Sequence, residues 1–133
     1  MIRNAIRIGA LAAVIPATTI AAQAAEADWR LGRVYYRMIC TSCHTAQAGK
    51  AIAPSDKTKA EWTAYFAADV HDASGKSNAK VSHFVSQAYR ESVKDTNKAA
   101  AKFLKMPESE LLAAVKAFAV YGAKDSDNPT GCQ

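Results

Sequence analysis

No stretch of this 133-residue chain alternates apolar and polar side chains in the way a half-buried strand requires, and no segment repeats. The first absence speaks against a sheet, the second against a solenoid. Beyond the first twenty-odd residues no apolar run reaches the length that spans a bilayer. No basic run is interleaved with aromatics, so a nucleic-acid surface is not expected. Neither an acid–base pair nor a nucleophile constellation stands out, and the chain does not read as an enzyme. Cysteine is scarce, with Cys40, Cys43 and Cys132. The second thiol pair that a structural zinc site usually supplies is therefore missing.

Residues 1–24 read as a secretory leader. M-I-R-N-A-I-R carries two arginines and no acid, I-G-A-L-A-A-V-I-P-A-T-T-I is a short apolar run, and A-Q-A fits a signal-peptidase site, with cleavage expected after Ala24. An uncleaved anchor is the alternative, disfavoured by the short apolar run. Removing the leader takes Arg3 and Arg7, leaving 15 Lys plus Arg against 12 acids and a net charge of +3 in place of +5. The mature chain, residues 25–133, is expected to be one periplasmic domain whose mildly basic surface suits acidic protein partners.

Helical signals dominate that domain. Leu31, Val34, Tyr35, Met38 and Ile39 recur at helical spacing after Asp28, a candidate N-cap, with Arg30, Arg33 and Arg37 on a solvated face. A second helix is expected from Ser55 or Asp56 through Trp62, Tyr65 and Phe66. A third carries Val81, Phe84, Val85, Ala88, Tyr89 and Val93 on one face, and a short one spans residues 97–104. In the last helix Pro107 occupies the first turn, Glu108 and Glu110 favour its positive end, and Leu111, Leu112, Val115, Phe118 and Ala119 make the buried stripe. Gly122 ends it, and an irregular polar tail begins at about residue 123. The expected fold class is all-α.

The chemistry concentrates in C-T-S-C-H, residues 40–44. C-x-x-C-H is the pattern of covalent haem attachment. Two thiols one helical turn apart can each join one vinyl group of a single haem, and His44 then lies beneath the iron as its proximal ligand. A redox dithiol is the competing reading, but that chemistry favours a C-x-x-C in a βαβ setting, and here an amphipathic helix precedes it. A large cofactor would also supply core that these short helices lack. Cys132 is the odd thiol of an exported chain: a free thiol, a bridge to a second copy, or an iron ligand carried on the tail. His71, in a polar stretch, and His83, off its helix's apolar face, read as surface residues. Tyr35, Tyr36, Trp62, Phe66, Phe84 and Tyr89 read as core aromatics that could also wall a haem.

G-R-V-Y-Y-R-M-I-C-T-S-C-H resembles the first helix and haem motif of small class I c-type cytochromes, and E-L-L-A-A-V-K-A-F-A-V-Y is similar to their last helix, which crosses the first. The likeness covers both ends of the mature chain; residues 56–100 match only in helical character. Thr45 departs from the glycine that commonly follows the histidine. The resemblance implies a cytochrome c-like domain wrapped around one covalent haem. It also implies that the Pro54 carbonyl holds the His44 N–H, and that Met106 is a distal ligand. Met106 lies close to the last helix, where it equally reads as a core methionine. Met106 and Cys132 are thus the two leading candidate distal ligands, with a histidine or an open position as the remaining alternatives, and neither His71 nor His83 is expected to be a ligand. A methionine suits a periplasmic carrier of single electrons. A thiolate suits a CO- or NO-binding or sensing haem protein, or a haem subunit of a redox complex.

Overall fold

The computed structural model describes residues 26–47, 49–71 and 80–131. The expected leader, residues 1–24, and Cys132 lie outside the described residues. Among those described there are helices and no strand, so the expected all-α class holds. None of these helices is long and apolar enough to cross a membrane.

Helix α1 (Trp29–Tyr35) starts where expected, with Asp28 Oδ1 accepting from Arg30 N at 2.9 Å and Leu31 N at 3.3 Å. It runs through a wide π-helical turn, Tyr36–Cys40, into α2 (Thr41–Gln47). A π-turn shifts the register of side chains around the axis, and such turns gather at functional sites. The buried stripe is accordingly Gly32, Tyr35, Tyr36 and Ile39, whereas Val34 and Met38, expected inside, are 49% and 46% exposed. Asn97 Nδ2 donates to the Met38 carbonyl within this turn at 2.8 Å.

Helix α3 (Lys59–Ala68) begins later than expected, because Pro54–Asp56 forms a separate 3-10 turn. Thr58 and Glu61 then make a capping box that fixes the start of α3. The expected third helix is split: a 3-10 turn, Ser82–Val85, is followed by α4 (Gln87–Val93). Ser86 separates them because its backbone is extended and its hydroxyl accepts from Tyr89 N at 3.1 Å. Ala88, expected inside, is exposed, and Arg90 is fully buried instead. Residues 97–104 contain only a 3-10 turn, Ala100–Phe103, before α5 (Glu108–Tyr121).

Helices α1 and α5 pack together, as the family resemblance implied. Trp29 stacks on Tyr121 at 4.0 Å, and Tyr36 meets Phe118 edge-on at 5.4 Å. Tyr35, Ile39, Val85, Phe103, Leu111, Val115 and Phe118 form the core around this pair. Gly122 ends α5 with φ of −94°, so its role is not a left-handed turn. A Cβ there would lie 2.7 Å from Thr130 Oγ1 and 2.8 Å from Pro54 Cβ. Only glycine lets the tail return to this spot, where Thr130 N donates to Gly122 O at 2.9 Å and Ser55 N to Thr130 O at 3.1 Å.

Candidate functional site: two thiols and two imidazoles

Cys40 and Cys43 lie one turn apart across the junction of the π-turn and α2, and neither is in a disulfide. Burial pushes the Cys40 thiol up to about 12, so it stays protonated at neutral pH. Three tyrosines surround the pair. Tyr65 and Tyr89 have their hydroxyls pushed up to about 12, mainly by burial and then by the nearby thiols, and Tyr89 hydrogen-bonds with the Cys43 side chain. The Tyr35 hydroxyl is raised further by the same causes.

His44 is partly buried, and that burial lowers its pKa and favours the neutral ring that can ligate a metal. Its ring faces His71, with centroids 5.6 Å apart and planes at 69°. His71 is partly buried, where its polar neighbourhood suggested a surface residue. It also packs on Phe84 at 4.3 Å, and Phe84 meets both Tyr89 at 5.2 Å and His83 at 5.1 Å.

Two features hold His71 in place. Asp69 ends α3 in the left-handed conformation, φ 50°, and its carboxylate accepts from Ser82 N and Ser82 Oγ, each at 2.7 Å. This ties the end of α3, two residues before His71, to Ser82. Phe84, beneath the His71 ring, is tied to α1 because its carbonyl accepts the Tyr35 hydroxyl at 2.6 Å.

The remaining expected site residues lie elsewhere. The Pro54 carbonyl, expected to hold His44, accepts the Trp62 indole N–H at 2.6 Å and Lys57 N at 3.4 Å, because the 3-10 turn aims it at α3. Met106 packs partly buried against the core, and its carbonyl accepts from Arg90 Nη2 at 3.1 Å. Arg90 also donates to the Ser86 and Phe103 carbonyls, so a buried guanidinium organises the approach to α5. A cavity of about 270 Å³ between Arg33, Arg37, Thr45, Pro54 and Gly131 includes none of Cys40, Cys43 or His44 in its wall. Sequence reasoning missed His71, Asp69 and Arg90 as organising residues, and no local pattern marks them.

The donor set can be tested against the group it would hold. Among the described residues, no cluster of three or more His, Cys, Asp or Glu could hold a bare metal ion. A porphyrin brings four of its iron's donors and asks the protein only for axial ones. Two linkable thiols, a neutral imidazole beside them and a second imidazole facing it fit that demand. No protein-family model, curated protein or solved structure matches this chain.

Proposed function

We propose that the chain is an exported, periplasmic monohaem c-type cytochrome that carries one electron between redox proteins. The observation that carries this reading is the placement of Cys40 and Cys43, unpaired and one turn apart, with His44 next to them and facing another imidazole. Haem held there would supply the one-electron couple of its iron. The chain's own residues do the rest. Cys40 and Cys43 would anchor the cofactor covalently, and His44 would be its proximal ligand. Phe84, Tyr89 and Tyr65 keep water from the site and lower the local dielectric, which strengthens the electrostatic control of a redox centre. Arg30, Arg33 and Arg37 are exposed on one helical stretch and can meet an acidic partner.

The test is expression with a haem-attachment system, followed by denaturing electrophoresis with a haem stain. Wild type is expected to keep its haem through denaturation, and the Cys40→Ala, Cys43→Ala double variant to lose it. A colourless wild type, or haem that survives in the double variant, would refute the assignment.

A further inference from the structure

We propose that His71 is the distal iron ligand, so that the haem is held between two imidazoles rather than between an imidazole and a sulfur. This rests on the haem reading above and goes beyond it, because neither Met106 nor Cys132 then completes the site.

The geometry points to His71 for three reasons. Its ring is the one that meets the proximal histidine, at 5.6 Å between centroids. Two metal–nitrogen bonds of about 2 Å in line, with the ring radii added, set a ligating pair of imidazole centres roughly 6 Å apart. The twist of 69° between the planes is no obstacle, since each axial ring rotates independently about its own bond to the metal. The second reason is support. A distal ligand must be held by its surroundings, and His71 has Phe84 against its ring and the Asp69–Ser82 clamp close by in the chain. Through Phe84 and Tyr35 that support reaches the fully buried face of α1. The third reason is what occupies the competitors. Met106 packs its side chain against the core, and Arg90 Nη2 holds its backbone carbonyl at the approach to α5. His83 packs instead on Phe84 and Tyr89.

Near-infrared magnetic circular dichroism and electron paramagnetic resonance of the ferric holoprotein decide the question, because both report the axial pair directly. Wild type is expected to give a bis-imidazole charge-transfer band. That band should disappear in His71→Ala and return when free imidazole is added. It should be replaced by a methionine-type band in His71→Met, and stay unchanged in Met106→Ala and Cys132→Ser. Covalent haem, read on a denaturing gel, should be equal in all of these variants, which separates loss of a ligand from loss of the fold. A band that survives in His71→Ala, or that vanishes in Met106→Ala or Cys132→Ser, would overturn the proposal while leaving the haem reading intact. A wild type without covalent haem would remove the haem reading and the ligand assignment with it.

Discussion

Gly32 lies against Ala114 so closely that no side chain fits between the two helices. A Cβ at Gly32 would overlap the Ala114 carbonyl and stand 2.9 Å from Val115 N. The obstruction is backbone, which cannot swing aside as a side chain would. Gly32→Ala is therefore expected to push α1 from α5 and to cost about 3 kcal/mol by overpacking. A urea unfolding curve checks this. A midpoint equal to wild type would mean that the helices do not meet here.

Arg90 sits fully buried among carbonyls rather than carboxylates. Replacing it with methionine keeps much of the volume and removes every donor. The Met106 carbonyl then loses its guanidinium partner and the Phe103 carbonyl keeps only Met106 N, at a cost of about 2–3 kcal/mol. Arg90→Lys should recover only part of the loss, because one ammonium lacks the planar fork that reaches several acceptors. Thermal unfolding of the two variants orders them. A lysine variant as stable as wild type would contradict the bridging role.

The Asp69 turn does two jobs that mutation can separate. Asp69→Gly keeps the left-handed backbone and loses the Ser82 clamp; Asp69→Ala loses the clamp and strains the backbone as well. Alanine is expected to be less stable than glycine by about 1 kcal/mol. The Asp69 carboxyl is held below the usual carboxylate range chiefly by its Ser82 hydrogen bonds. A depressed pKa adds stability that is present above the ordinary carboxylate value and is lost as pH falls through the lowered one. The wild type should lose more stability on acidification than Asp69→Gly does. Denaturation midpoints between neutral and strongly acidic pH measure that difference.

Burial raises the hydroxyls of Tyr35, Tyr65 and Tyr89. A raised pKa adds stability that is complete below the unfolded value, about 10 for tyrosine, and is lost as pH rises through the folded values. Stability should thus be flat with respect to these groups through neutral pH and fall above about pH 10. Tyr35→Phe should weaken that alkaline loss, and at neutral pH it should cost about 1 kcal/mol for the hydrogen bond to Phe84 O. Ultraviolet titration of tyrosinate checks this, with the Tyr35, Tyr65 and Tyr89 hydroxyls expected to ionise above the ordinary tyrosine range.

Local signals proved reliable where neighbours in the chain make the decision. Asp28 caps α1 because its carboxylate needs only the next turn, and the stripe Leu111, Val115, Phe118 and Ala119 marks α5 because one face repeats along one axis. The same logic misjudged the face of the helical stretch that leads into Cys40. A uniform period put Val34 and Met38 inside, and the π-turn rotated Tyr36 inward in their place. It also joined residues 81–93 into one helix, because it could not see Ser86 turning its hydroxyl to the Tyr89 N–H.

By itself the sequence determined the helical class, the start of α1, the ends of α5, and the presence of two thiols and a histidine in a C-x-x-C-H pattern. These depend on residues within a turn or two of each other, where covalent geometry sets the distances. Only the tertiary structure decided that Trp62 takes the Pro54 carbonyl, that Arg90 is buried, and that the His44 ring meets His71. Each of those is a contact between elements. The choice among partners of similar chemistry is made when α1 and α5 close at Gly32 and α3 turns back at Asp69. No periodicity along the chain carries that information.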